Sequence, residues 1–116
     1  MSEPVGPLEA VEGQLRAYNA RDVVAFAAWF AADVELYRLG EAEPFVRGRA
    51  QLVERYGPMF AARPDLHADI VHRAVHGRFV TDEEEVHGLD PEGGVVRALA
   101  IYEGEGAEIR RVWFVR

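Results

Sequence analysis

The spacing of apolar residues changes at Pro64, and this change limits what the chain can fold into. Before Pro64, apolar residues recur mainly at steps of three and four, as on helices that bury one face. After Pro64, apolar and polar residues mainly alternate, as on strands that bury one face. The sequence therefore predicts N-terminal helices that cover a C-terminal antiparallel sheet.

Three helices are predicted in the first part of the chain. The first covers about residues 7–19, and its apolar face carries Leu8, Val11, Leu15 and Tyr18. Asp22 is a candidate N-cap for a second, short helix that ends near Ala32. The third helix follows Gly48, and Pro58 within it should cause a kink or a restart, because proline lacks a backbone N–H.

Alternation predicts one strand between the helices and four strands after them. The early strand begins at Asp33, and a loop over 40–48 follows it, with a short edge strand around Phe45 and Val46. The four later strands are separated by glycine-containing turns and cover residues 66–76, 78–87, 95–103 and 108–115. Because a sheet can cover three helices only by curling around them, we expect an α+β cone with an open mouth, formed by a single domain, 1–116.

Composition excludes several functional classes. The formal net charge is -7, from 20 acidic and 13 basic residues, and there is no run of Lys or Arg, so nucleic acid and membrane surfaces are not expected partners. The chain has no cysteine, which removes disulfides, thiolate nucleophiles and thiolate metal sites. No signal-like or membrane-spanning segment is visible, so we expect a cytoplasmic protein.

Five short segments resemble known families: 18–22, 29–34, 47–49, 100–102 and 108–113. The first three are similar to the opening of ketosteroid isomerases and SnoaL-like polyketide cyclases, and the last two to the final hairpin of those families. Both families belong to the nuclear transport factor 2-like superfamily. The resemblance therefore implies a cystatin-like cone and a homodimer, but no particular activity, because this fold hosts enzymes, binding proteins and assembly modules.

The resemblance does not extend to the catalytic groups of ketosteroid isomerases. Their mechanism needs a carboxylate base, and a tyrosine and a protonated aspartate that donate hydrogen bonds to the developing enolate. Alignment on Asp22 places Gln14 at the tyrosine position and Arg38 at the base position, and residues 97–100 contain no acid. We therefore expect no ketosteroid isomerisation by that mechanism.

An alternative acid/base set comprises His72, Asp82 and Glu84. Strand alternation directs all three side chains to one face of the sheet. A three-residue turn at 76–78 would place His72 opposite Asp82 as a catalytic dyad, whereas a two-residue turn would pair His72 with Glu83. The alternative interpretation is a hydrogen-bonded core histidine beside a solvated acidic face.

The other candidate residues line the expected cavity, where aromatic walls with a few polar groups suit a small apolar or aromatic ligand. Arg38 at the mouth could bind a ligand carboxylate or could pair with Glu41 or Glu43. The predicted ligand-binding residues are Gln14, Tyr18, Trp29, Phe30, Arg38, Tyr56, Phe60 and Phe114. We expect no cofactor and no metal, because His72 and His76 lie about 13 Å apart on a strand.

Two functions of different classes follow from these residues. One is an enzyme of the isomerase, cyclase or hydro-lyase type that uses general acid/base chemistry. The other is a non-catalytic module that binds a small ligand or dimerises. Trp113 and Val115 alternate with the inward residues of the last strand, which predicts a homodimer interface on the outer face of the sheet.

Overall fold

Helices and strands follow one another in the order that the sequence predicts. A computed structural model describes residues 6–115, and within them the helices are α1 (Pro7–Asn19), α2 (Val23–Ala27) and α3 (Gly48–Ala62). The strands are β1 (Phe30–Arg38), β2 (Val46–Arg47), β3 (His67–His76), β4 (Phe79–His87), β5 (Val96–Glu105) and β6 (Glu108–Val115). The expected α+β architecture is therefore confirmed. None of the three helices in this part of the chain combines the length and apolar character needed to cross a membrane.

The six strands form one sheet in the order β2-β1-β6-β5-β4-β3. Neighbouring strands are antiparallel, as expected, except for β1 and β6, which are parallel. The sequence gives no indication of this one parallel pair, because β1 and β6 lie far apart in the chain and no hairpin fixes their relative direction.

α2 is shorter, and β1 begins earlier, than the sequence predicts. Asp22 caps α2 as expected, with its carboxylate accepting a backbone N–H at 3.1 Å. The helix nevertheless ends at Ala27 rather than near Ala32. The reason is that the chain already joins the sheet at Phe30, which pairs with Ile109 of β6.

α3 continues through Pro58 as one helix, so the predicted restart does not occur. A proline at this position removes the hydrogen bond to the carbonyl of Glu54, four residues earlier. Both Glu54 and Pro58 are exposed, so water can donate to that carbonyl in place of the missing N–H.

Polar side chains from two of the family-like segments attach the helices to the sheet. Asn19, at the end of α1, hydrogen-bonds both backbone groups of Ala68 in β3, at 2.8 and 3.1 Å. Arg49, in the first turn of α3, donates from Nε and Nη2 to the carbonyl of Phe30 in β1, at 3.2 and 2.6 Å. These bonds fix the helix layer over the concave face of the sheet.

The turn between β3 and β4 contains two residues, Gly77 and Arg78, because His76 pairs with Phe79. Gly77 has a φ of 58°, and a type II′ turn requires a positive φ at its first central residue. Of the two turn lengths considered from the sequence, the shorter one is therefore observed.

A β-bulge interrupts β3 at Val71. On one side of it Ile70 pairs with Glu84, and on the other side His72 pairs with Glu83. The extra residue reverses the alternation of the strand, so Ile70 faces the concave side while His72 is exposed on the outer side.

Candidate functional site

A cavity of about 400 Å³ lies between the helices and the concave face of the sheet. Its exposed lining residues, Arg38, Leu39, Arg55 and Val115, mark the mouth. The rest of the wall is mostly apolar, with aromatic rings from Tyr18, Phe26, Phe30, Phe45, Tyr56 and Phe114. Such a wall suits a flat, largely apolar molecule.

The inner wall of the cavity carries a polar group of three side chains, Gln14, Tyr102 and Glu84. Gln14 Nε2 donates to the Tyr102 hydroxyl at 3.1 Å and to the carbonyl of Val11 at 3.1 Å. The Tyr102 hydroxyl in turn donates to Glu84 Oε2 at 3.5 Å. We call this group the polar triad, and it provides a carboxylate and a hydroxyl beside an apolar chamber.

Strand register explains how Tyr102 reaches Glu84. Tyr102 pairs with Val80 of β4, so Glu84 lies four residues further along that strand. Between them, on the same face of β5, the inward side chains are only Ala98 and Ala100. These small residues leave space for the tyrosine side chain to extend along the sheet toward the carboxylate.

Burial raises the pKa of Tyr102 well above its usual value of 10.0, and the nearby carboxylates of Glu84 and Asp82 raise it further. The hydrogen bond from Gln14 acts in the opposite direction, but it does not cancel these effects. Tyr102 therefore keeps its proton at neutral pH and is available as a hydrogen-bond donor.

Asp82 belongs to a separate ion pair and does not line the cavity. It is fully buried, and Arg73 donates to it twice, from Nε to Oδ1 at 2.6 Å and from Nη2 to Oδ2 at 2.9 Å. Arg73 Nη1 also lies 3.6 Å from Oε2 of Glu12 on α1. This bidentate pair links β3, β4 and α1, which is a structural role.

The predicted dyad of His72 and Asp82 is not formed. His72 pairs with Glu83 and is exposed on the outer face, whereas both oxygens of Asp82 are bonded by Arg73. The two-residue turn causes this, because the register that it sets runs unbroken from His76–Phe79 to His72–Glu83. Of the three predicted catalytic residues, Glu84 is the one that lines the cavity.

The mouth of the cavity brings two arginines together on one aromatic ring. The guanidinium carbons of Arg38 and Arg55 each lie 4.6 Å from the ring centroid of Phe45. Within residues 6–115, neither guanidinium forms an ion pair, and Glu43, a predicted partner of Arg38, is bonded by Arg47 instead. The salt-bridge alternative for Arg38 is therefore not realised.

Six of the eight predicted ligand-binding residues line the cavity: Gln14, Tyr18, Phe30, Arg38, Tyr56 and Phe114. Trp29 packs against α1 instead, at Gly13, where an added Cβ would be 2.2 Å from the indole ring. Phe60 is buried behind Tyr18, with the two rings edge to face at 5.3 Å. Both residues are part of the core, where large apolar side chains usually lie.

Among the residues on which the chemistry of the site depends, sequence reasoning missed Phe45, Arg55 and Tyr102. Tyr102 lies in one of the family-like segments, but strand alternation alone does not reveal that its hydroxyl reaches Glu84. Phe45 and Arg55 come from a loop and a helix whose relative placement no local pattern predicts. Only the assembled fold brings them beside Arg38.

The positions aligned with the isomerase machinery provide no base. Gln14 and Arg38 both line the cavity, and Ala98 and Ala100 face inward from the late strand. The cavity carboxylate, Glu84, comes from a different strand. Within residues 6–115, no group of three or more His, Asp or Glu side chains is arranged to hold a metal ion.

Three helices on a curved sheet, with a cavity between them, define a cystatin-like cone of the nuclear transport factor 2-like kind. Residues 11–112 match the family model described as the SnoaL-like domain. The chain therefore belongs to the SnoaL-like family. A search of curated proteins gave no match.

Solved structures share this fold along nearly the whole chain. An uncharacterised cystatin-fold protein from Novosphingobium aromaticivorans is 25% identical, with a TM-score of 0.87 and coverage of 97% of this chain and 99% of that one. A putative polyketide cyclase from Sinorhizobium meliloti is 19% identical, with a TM-score of 0.77 and coverage of 92% and 94%. A hypothetical protein with a ketosteroid isomerase-like fold from Catenulispora acidiphila, in complex with trimethylamine, is 22% identical, with a TM-score of 0.79 and coverage of 97% and 87%.

Proposed function

We propose that this protein binds a small, largely apolar or aromatic molecule in the cone cavity. The observation that supports this most directly is a chamber of about 400 Å³ with aromatic walls and one polar group at its inner wall. Cavities of this size and composition are typical of small-molecule sites. The trimethylamine complex of the relative from Catenulispora acidiphila agrees with a ligand-binding role for the fold.

Acid/base catalysis on the bound molecule is the second candidate function, of the isomerase, cyclase or hydro-lyase type. It is favoured by the Glu84 carboxylate in the cavity wall, 3.5 Å from the Tyr102 hydroxyl. Glu84 would accept a proton from a substrate carbon, and Tyr102 would turn its single O–H from Glu84 to the substrate oxygen where negative charge develops. This arrangement needs no metal or cofactor, and the putative polyketide cyclase among the solved relatives agrees with it.

A cavity-filling substitution tests the binding function. Met59→Trp adds bulk to a residue of the cavity wall, whereas Val53→Trp adds the same bulk on the same helix at a residue that is 37% exposed and does not line the cavity. Binding of the neutral fluorescent probe N-phenyl-1-naphthylamine should weaken about tenfold or more in the first variant and stay unchanged in the second. Equal affinity in both variants would show that the probe binds elsewhere.

The isosteric change Glu84→Gln tests the catalytic candidate. Wild-type protein should catalyse deuterium uptake from D₂O by at least one member of a panel of cyclic and aromatic ketones, followed by NMR. Glu84→Gln should reduce that rate about a hundredfold or more, because the amide cannot accept the proton. Glu83→Gln, on the outer face, is the matched control. Exchange that survives Glu84→Gln would remove Glu84 as the base.

The same proposal includes the location of the protein, the class of its partners and its oligomeric state. We infer a cytoplasmic protein that acts on small molecules rather than on nucleic acid or membranes, as its acidic composition suggests. We also infer a homodimer through the outer face of the sheet. A module that only dimerises is the alternative if no small molecule enters the cavity.

A further inference from the structure

Two arginines at the mouth of the cavity indicate the chemical class of the ligand. Arg38, at the end of β1, and Arg55, on α3, both line the cavity and both are exposed. We propose that they bind the negatively charged head group of an organic acid whose flat apolar body occupies the cavity. This inference rests on the proposed function, because it requires that the cavity holds a small molecule.

The contact with Phe45 leaves both arginines able to bind an anion. A guanidinium that stacks on an aromatic ring uses its face, so the N–H groups along its edge stay available as donors. Each guanidinium carbon lies 4.6 Å from the same ring centroid, so the two carbons are separated by no more than these two distances together. At such a separation, each guanidinium edge can donate to one side of an anionic head group.

The charge pattern of the chain also singles out this pair. Seven arginines within residues 6–115 form ion pairs with carboxylates of the chain: Arg47, Arg49, Arg73, Arg78, Arg97, Arg110 and Arg111. Five others within these residues do not, namely Arg16, Arg21, Arg38, Arg55 and Arg63, and of these five only Arg38 and Arg55 line the cavity. Their positive charges therefore remain available to a ligand carboxylate.

The inner wall of the cavity sets the orientation of such an acid. Glu84 places a carboxylate there, and it would repel a second negative charge. The head group must then stay at the mouth, and the inward end of the ligand must be neutral, such as a carbonyl or hydroxyl that meets Tyr102. The predicted ligand is thus a monoanion, charged at one end and apolar along its body.

A matched pair of probes tests this inference. 8-Anilinonaphthalene-1-sulfonate has the same aromatic body as N-phenyl-1-naphthylamine and one added anionic group. The double variant Arg38→Gln/Arg55→Gln should weaken binding of the anionic probe about tenfold or more, since a charge-assisted hydrogen bond is worth about one decade or more of affinity. Binding of the neutral probe should change less than about twofold.

Two controls make the result specific to the mouth. Arg97→Gln removes a positive charge from a side chain that is 81% exposed on β5 and should leave binding of both probes unchanged. Raising the salt concentration should weaken binding of the anionic probe but not of the neutral one. Equal losses for both probes in the double variant would overturn the inference, because such losses would reflect altered packing and not lost charge.

The outcomes also separate this inference from the proposed function. If neither probe is sensitive to Met59→Trp, the cavity is not the binding site and the proposed function fails. If the neutral probe binds in the cavity but the affinity of the anionic probe is unchanged in Arg38→Gln/Arg55→Gln, only the inference fails. If Met59→Trp does not fold, its test is replaced by native mass spectrometry of the wild-type protein with both probes present. If each probe displaces the other, the two share one cavity, which supports the inference. A complex that holds both probes at once overturns the inference.

Discussion

Tyr102 connects the apolar chamber to the polar triad, and its hydroxyl has a partner on each side. Gln14 donates to it, and it donates to Glu84. Because the residue is buried, ionisation would place a negative charge beside Glu84 with little water to stabilise it, which is why its pKa is raised. The same environment that suits a hydrogen-bond donor therefore makes the folded protein sensitive to alkali.

This sensitivity gives a prediction for stability against pH. The folded state keeps the Tyr102 proton at a pH where the unfolded chain has lost it, so the unfolding free energy should fall as pH rises above about 10. Tyr102→Phe should remove most of that decline, at a cost of about 1 kcal/mol at neutral pH for the lost hydrogen bonds. Urea denaturation at several pH values measures both effects.

Tyr37→Phe provides the comparison for that experiment. Tyr37 lies on the outer face of the sheet, and its pKa is also raised, first by burial and then by Glu35, but less strongly than that of Tyr102. Its removal should therefore change the alkaline decline less. If Tyr102→Phe leaves the decline as steep as in the wild type, the decline does not come from Tyr102.

Among the elements, α1 depends on one glycine for its position. A Cβ on Gly13 would be 2.2 Å from the Trp29 ring, so Gly13→Ala must displace a large and partly buried side chain. We expect a loss of about 1–3 kcal/mol in unfolding free energy, measured by chemical denaturation. Gly57→Ala in α3 is the matched control, because its nearest neighbour, a methyl of Val23, is 3.9 Å away. Equal losses in the two variants would contradict this account of the α1 contact.

The β3–β4 hairpin was predictable from the sequence only in part. Both registers considered from the sequence occur in the hairpin. Ile70 opposite Glu84 belongs to the register of a three-residue turn, and His72 opposite Glu83 belongs to that of a two-residue turn. The bulge at Val71 joins them. No glycine or other local signal marks that residue, and a bulge depends on how the whole strand fits its neighbours. Strand positions were therefore predictable, but the side of the sheet that His72 faces was not.

The polar triad was unpredictable for a related reason. Gln14 comes from α1, whereas Glu84 and Tyr102 come from the consecutive strands β4 and β5, and the three side chains meet only in the assembled cone. Strand alternation predicted that the Glu84 side chain faces inward. It did not predict the distances between the three side chains, because these depend on the curvature of the sheet and on the small side chains beside Tyr102.

At the scale of the whole molecule, the outer face of the sheet presents an apolar stripe. Tyr37, Trp113 and Ile101 are paired across three adjacent strands, and the Tyr37 and Trp113 rings stack with centroids 5.9 Å apart. Leu99 and Val115 form the next pair beside them. All five retain partial exposure, and an apolar surface of this kind favours association.

We therefore predict a homodimer that Trp113→Arg disrupts. Sedimentation velocity at micromolar concentration should give a dimer for the wild type and a monomer for the variant, because the substitution places a charge in the centre of the apolar stripe. Val24→Arg, at a residue that is 78% exposed on α2, should leave the dimer intact. A wild-type protein that is strictly monomeric would contradict the predicted interface.

The parallel pairing of β1 with β6 has a consequence for synthesis on the ribosome. β6 lies between β1 and β5, so the sheet stays in two parts until Glu108–Val115 has been translated. Before that, the edges of β1 and β5 that β6 will cover are open, and open edges are where strands of other chains can add. The nascent chain cannot enclose the cavity until these residues emerge, so we expect it to be most prone to aggregation just before β6 is added.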